Sequence, residues 1–280
     1  MTNPYQIEPP ALISFSGGRT SAYMLKQILD AYRGRLPQDL IPCFANTGKE
    51  MAETLDFVQE CGERWGVAIV WLEYNPLLPE KFEIVSHRTA SRAGEPFELL
   101  LANRGMLPNP VTRFCTAELK IRTKKRFAQS LGWEHWTTAL GLRADEPRRV
   151  ARLKNLRERW EAIAPLSSAG VTRQDVIEFW RNQPFDLRLP SVDGRTPLGN
   201  CDMCFLKSAA TIQAIMRDQP HLADWWIEQE RRKAGQTRSP SVAVFRKDRP
   251  DYASMLRAVQ HQQIMDFGDR DALAECFCHD

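Results

Sequence analysis

Three groups of residues in this 280-residue chain have types and spacings suited to chemistry: a serine–glycine loop, a run of arginines and seven cysteines. The loop is Ser14-Phe15-Ser16-Gly17-Gly18-Arg19-Thr20-Ser21, set between an apolar run and a helical period. Two glycines let the backbone turn sharply and approach a phosphate, and the N–H groups at the helix start then hold the anion, helped by the helix dipole. Ser16 and Ser21 add hydroxyl donors and Arg19 a charge. The Gly-Lys-Ser/Thr ending of a Walker A loop is missing. A second stretch, Gly141-Leu142-Arg143-Ala144-Asp145-Glu146-Pro147-Arg148-Arg149, also follows an apolar run. Arg143, Arg148 and Arg149 are forked donors suited to phosphate or sulfate oxygens. Glu146 could orient one of them or help hold Mg²⁺.

The cysteines divide by setting. Cys201-Asp202-Met203-Cys204 places two thiolates close enough to share a metal, in a Pro/Gly-rich stretch. Cys115 follows Arg113-Phe114 beside a basic segment, and Cys276 and Cys278 come near the end. These are five candidates for four ligand positions: Cys115, Cys201 and Cys204, with Cys278 or Cys276 as the fourth. Zinc is one ion such a set would take. Cys276, close to His279, has a second reading as a partly ionised nucleophile, which would leave Cys278 as the ligand. Cys43, inside an apolar strand, and Cys61, on a helix, read as structural.

The elements that must position these residues follow from hydrophobic period. Ala11–Ser16, Leu40–Ala45, Val67–Tyr74 and His135–Leu140 read as buried strands; Thr20–Tyr32, Met51–Trp65 and Thr116–Leu131 read as helices. Residues 75–115 read as irregular, with a helical piece near Phe97–Asn103. Strand–helix alternation with buried strands predicts an α/β fold with a Rossmann-like parallel sheet. Ligands bind such sheets at the carboxyl ends of the strands. Ser16–Ser21, Asn46–Glu50 and Gly141–Arg149 all follow strand ends, so one composite site is expected. Beyond Pro165 the pattern is helical and cysteine-bearing. Thr172 with Asp175 resembles an N-cap box, Pro220 breaks a helix over Lys207–Ala234, and a last helix covers Ala253–Met265. Two domains are expected, 1–165 and 166–280.

Composition narrows the class. With 43% apolar residues the chain can build a core, and no run reaches the ~18 apolar residues of a membrane span. MTNPYQIEPP is not read as a secretory signal, and an odd cysteine count argues against a disulfide framework, so a reduced cytoplasmic protein is expected. A net charge of +3 is too balanced to argue for non-specific nucleic-acid binding; the basic residues instead cluster in Arg113–Arg126 and Arg143–Arg159.

The ordered motifs resemble a known family. Ser16-Gly17-Gly18-x-x-Ser21 is similar to the signature loop of the PP-loop ATP pyrophosphatase superfamily, in its adenine nucleotide alpha-hydrolase-like branch. Asn46-Thr47-Gly48-x-Glu50, Arg113-Phe114-Cys115-Thr116 with Lys120, and Gly141-Leu142-Arg143 with Glu146 and Arg149 look like the phosphoadenosine-phosphosulfate (PAPS) reductase family, as does Glu275-Cys276-x-x-His279. Arg19-Thr20 stands where that superfamily usually has Lys-Asp. The resemblance implies that the loop, with Ser14, holds ATP phosphates and that Asn46, Thr47 and Gly48 contact the adenosine, with Gly141 and Arg149 completing the nucleotide site. Arg113 and Lys120 fall at substrate-binding positions, and Arg143, Glu146 and Cys276 at catalytic ones. It implies Mg²⁺ and a [4Fe-4S] cluster on Cys115, Cys201, Cys204 and Cys278, zinc being the alternative. The implied reaction cleaves ATP to AMP and pyrophosphate, adenylates a substrate and supports sulfur transfer to tRNA, DNA or a small molecule. A cysteine desulfurase would then be a donor partner, with a homodimer allowed. The alternative is an adenylyl-sulfate or PAPS reductase served by thioredoxin. A third is a nucleotide- or nucleic-acid-binding module with structural zinc.

Overall fold

The computed structural model describes residues 3–153, 158–192, 194–237 and 243–261. Cys276, Cys278 and His279 therefore lie outside the described residues. Six strands form one sheet: β1 (Ala11–Phe15), β2 (Leu40–Asn46), β3 (Val70–Tyr74), β4 (Phe82–Val85), β5 (Trp136–Leu140) and β6 (Trp160–Ile163), in the order β4-β3-β2-β1-β5-β6. All neighbours run parallel except β3 and β4. The sequence ALISF of β1 is buried at every residue, as a central parallel strand covered on both faces must be. Its register against β2 and β5, Phe15 opposite Phe44 and Ser14 opposite Leu140, brings the ends of three strands side by side.

Helix α1 (Arg19–Ala31) follows β1 and buries Ala22, Leu25, Ile28 and Leu29, the spacing of one helical face. Helix α2 (Ala52–Trp65) ends at Gly66, which takes the left-handed conformation that closes many helices. Helix α3 (Glu95–Arg104) occupies the expected helical piece. The expected helix over 116–131 begins as a π-helical stretch, Thr116–Arg122, before continuing as α4 (Thr123–Ser130). Two strands escape the sequence reading. β4 is four residues with Ile84 exposed, and β6 is four residues with none fully buried, so neither carries a buried apolar run.

The second half packs as helices: α5 (Pro147–Leu153), α6 (Pro165–Ser168), α7 (Arg173–Arg181), α8 (Ala209–Asp218), α9 (Ala223–Ala234) and α10 (Tyr252–Gln260). The N-cap box of α7 is present, with Asp175 accepting from the Thr172 N–H and hydroxyl, both at 2.7 Å. Pro220 does separate α8 from α9, through one 3-10 turn. Ile13, Phe15 and Leu55 of the sheet unit share one hydrophobic cluster with Leu198, Phe205, Trp226 and Phe245. Trp226 is fully buried and stacks on Tyr252, so it belongs to the core, as does Cys43 in β2 and Cys61 in α2. Burial pushes both thiols up from their ordinary pKa.

Candidate functional site

The strand order makes the gap between β1 and β5 the place where successive connections diverge. Beyond such a gap an open α/β sheet has its crevice. Two sequence motifs meet there. Gly17 adopts φ +81°, and a Cβ at that position would lie 2.6 Å from Thr54 Cγ2, so the loop turns in a space only glycine fits. Ser21 closes the loop: its hydroxyl lies 2.8 Å from Ser16 Oγ, accepts from the Ser16 N–H at 3.1 Å and donates to the Gly18 carbonyl at 3.0 Å. Gly18 caps α1 without a side-chain hydrogen bond, and the first turn holds no acidic residue. Its leading N–H groups and positive dipole end are arranged for an anion.

From the other side, the loop after β5 delivers Arg143. Its guanidinium donates to Thr20 Oγ1 at 3.0 Å and to Asp145 Oδ1 at 2.9 Å, and lies 3.4 Å from Glu146 Oε2. Glu146 also accepts from the Arg143 N–H at 3.1 Å and from Arg149 at 2.5 Å. Of the two roles open to Glu146, the geometry displays the orienting one. Arg148 is exposed on α5. Ser16, Gly17, Gly18, Thr20, Ser21, Gly141, Arg143, Glu146 and Arg149 thus come to one place.

Other expected contacts are committed elsewhere. Arg19 forms a bidentate pair with Asp186 at 2.6 and 2.8 Å and donates to Thr196 and the Leu187 carbonyl. It ties the start of α1 to the Pro-rich loop of the second half. Asn46 is fully buried. Its amide donates to Glu73 at 2.6 Å and to the Ser91 carbonyl, while its oxygen accepts from the Gly48 N–H. Burial raises the Glu73 pKa, against hydrogen bonds from Ser91 and Asn46 that lower it. Ser14, buried in β1, accepts from Lys124 at 2.6 Å. So Asn46 and Ser14 brace strand ends in this structure.

The C-x-x-C segment lies against the end of β2. Glu50 bridges to Cys201, and the Asp202 N–H donates to the Lys49 carbonyl at 2.7 Å. Lys49 pairs with Asp202 at 2.9 Å, both nearly fully buried, and Asp202 also accepts from Trp226 Nε1 and the Met203 N–H. Thr47 holds Glu50 Oε2 at 2.7 Å and sits 3.5 Å from Cys201 Sγ. Lys120 lies 3.5 Å from Glu50 Oε1. Sequence reasoning missed the Lys49–Asp202 pair, although an acid inside a C-x-x-C motif was visible.

Among the described residues no metal centre is assembled. Cys201 and Cys204 are buried and Cys115 is half-buried, but among the described residues no three His, Cys, Asp or Glu side chains are grouped to hold a metal ion. Cys278, the fourth expected ligand, lies outside them, as does Cys276. The basic segment is also partly neutralised from within: Arg104, Arg122 and Arg126 all hydrogen-bond Glu118. Desolvation raises the Glu118 pKa, but these arginines outweigh it and hold the carboxyl below its ordinary value. Arg113 is half-buried just before the π-helical stretch.

No protein-family profile matches the chain. It is 32% identical over 219 residues to the uncharacterized nin region protein ORF290 of Escherichia phage lambda, spanning 75% of this chain and 71% of that protein. Among solved structures it is aligned with the U34-tRNA thiolase NcsA from Methanococcus maripaludis with its [4Fe-4S] cluster. That alignment covers 96% of this chain and 79% of the other at 13% identity and a TM-score of 0.39.

Proposed function

Starting from a chain that belongs to the family of the phage lambda nin region protein ORF290, we propose that it binds ATP at the β1–β5 gap and cleaves it between the α and β phosphates. One observation supports this above the rest: Arg143 docks on Thr20, so the loop after β5 meets the uncapped, glycine-turned start of α1. That arrangement presents N–H groups and one guanidinium to a polyphosphate. Ser16 and Ser21 hold the loop in shape rather than reaching outward. Glu146 fixes Arg143 and Arg149 with its two oxygens.

In this reading a substrate oxygen attacks the α-phosphorus. A new P–O bond forms, the α–β bridging bond breaks and pyrophosphate leaves with the bond's electron pair. The N–H groups of the α1 start and Arg143 stabilise charge on the leaving group. Mg²⁺ enters as part of the Mg–ATP substrate. Sulfur transfer to the adenylated product, with a nucleic acid among the acceptors, rests on the order of the sequence motifs. The described cysteines do not fit a cluster as they stand, and no step is routed through one.

Isothermal calorimetry with Mg–ATP tests the first half, and AMP and pyrophosphate formation the second. Arg143→Lys keeps the charge but loses the fork; it is expected to weaken ATP binding about tenfold, with the melting temperature unchanged. A folded wild-type protein that binds no ATP would overturn the proposal.

A further inference from the structure

Behind the sheet, on the face opposite the phosphate loop, is a cavity of about 120 Å³. Gly17 packs toward Phe44, Thr54 and Val58. The cavity instead uses Leu12 and Ser14 of β1 with Trp136, Thr138 and Leu140 of β5, residues that alternate onto the other face. Trp136 and Trp160 stack with centroids 5.4 Å apart and planes at 19°, making a flat apolar wall. The opposite wall is the π-helical stretch and α4, which contribute Lys120, Lys124 and Lys125.

The charges in this cavity do not balance. Its one acid among the described residues, Glu158, is held by Lys125 at 3.1 Å, and Lys125 also lies over the Trp160 ring. Lys124 makes one hydrogen bond, to Ser14 Oγ at 2.6 Å, and no ion pair among the described residues. An ammonium has three donors. Burial pulls the Lys124 pKa below its ordinary value; Cys43 opposes this and Lys120 adds to it. A desolvated cation without a carboxylate is costly to fold around unless an anion reaches it.

We propose that this cavity is a binding site, separate from the nucleotide site, for a small organic anion with a flat apolar body. Its carboxylate-like head sits on Lys124 beside the Ser14 hydroxyl, and its body lies against Trp136. This gives Ser14 a ligand role away from the phosphate loop. The proposal does not depend on ATP chemistry, because it is read by binding alone.

The test is calorimetry of the whole protein with benzoate and its neutral analogue benzyl alcohol, without ATP; a single ring suits a cavity of this volume. The expected result is saturable one-to-one binding of benzoate, with the alcohol about tenfold weaker or more. Lys124→Met should abolish that preference while melting no lower than wild type, since an unpaired buried charge has been removed. AMP should not displace benzoate. Equal binding of acid and alcohol by the wild type would overturn the proposal without need of any variant. So would an unchanged preference in Lys124→Met, or displacement by AMP, which would place the cavity within the nucleotide site.

Discussion

Adjacent glycines in the loop after β1 should respond very differently to the same substitution. Gly17 sits at φ +81°, where an L-residue costs about 1–2 kcal/mol. Its added Cβ would also meet Thr54 Cγ2 at 2.6 Å, Phe44 Cε2 at 3.3 Å and Val58 Cγ2 at 3.3 Å. These neighbours belong to β2 and α2 in the main core, so they cannot move away cheaply, and overpacking of this kind adds about 1–3 kcal/mol. Gly17→Ala should therefore destabilise by about 2–5 kcal/mol. Gly18 sits at φ −99° and ψ 161°, allowed for any residue, and its added Cβ would have Ser16 Oγ as nearest atom at 3.6 Å. Only the poorer capping of alanine counts there, about 1 kcal/mol or less.

Urea unfolding followed by circular dichroism measures both. Thr54→Ser removes the nearest contact, the Cγ2 methyl. Alone it should cost about 1 kcal/mol of lost burial. Combined with Gly17→Ala it should give back part of the clash, so the double-mutant cycle should show coupling of about 1 kcal/mol or more. Equal losses for Gly17→Ala and Gly18→Ala, or no coupling between positions 17 and 54, would refute this account of the turn.

Two other sites give sharp expectations. Lys49→Met leaves Asp202 buried with only the Trp226 and Met203 N–H groups; stability should drop by about 3 kcal/mol, and Asp202→Asn in the same chain should recover much of it. Faster thiol labelling of Cys201 and Cys204 in Lys49→Met would report the loosened segment. Glu230 is buried, and that burial raises its pKa to about 7 despite hydrogen bonds from the Tyr252 and Phe245 N–H groups. The folded pKa lies above the unfolded one, so the unfolded chain loses its proton first as pH rises. Stability should then fall between about pH 4.5 and 7, by up to roughly 3 kcal/mol. Glu230→Gln should flatten that part of a melting-temperature profile, and an unchanged slope would show that other groups set it.

How far the sequence speaks depends on how locally each feature is encoded. β1, β2, β3, β5 and the helices between them are continuous apolar or periodic runs, because both faces of a parallel strand are covered. β6 and β4 are legible only through their neighbours: β6 pairs with β5 at Trp136 and Trp160, and β4 pairs antiparallel with β3. Pro220 is a local rule and reads directly, as does the Thr172–Asp175 cap. The switch from π to α winding near Arg122 is not readable, since the same residues satisfy either period over one or two turns.

At the site, the loop motifs were legible as loops but not as partners. Backbone geometry fixes Gly17 and Gly18, so their role travels with the sequence. A side chain's role depends on what the rest of the chain brings near it. Arg19 illustrates the difference. From sequence it is a cation beside two glycines, fit for phosphate. In the fold, Asp186 reaches it from 167 residues away and takes two of its donors, while Trp180 donates to its carbonyl at 2.9 Å. The guanidinium that meets the start of α1 from the other side is Arg143, which arrives through the β5 register and is held by Thr20, Asp145 and Glu146. The departure from Lys-Asp to Arg19-Thr20 makes sense on these terms. A forked guanidinium at 19 can clamp the second half of the chain, and a neutral hydroxyl at 20 accepts from Arg143 where a carboxylate would add a third acid to Asp145 and Glu146.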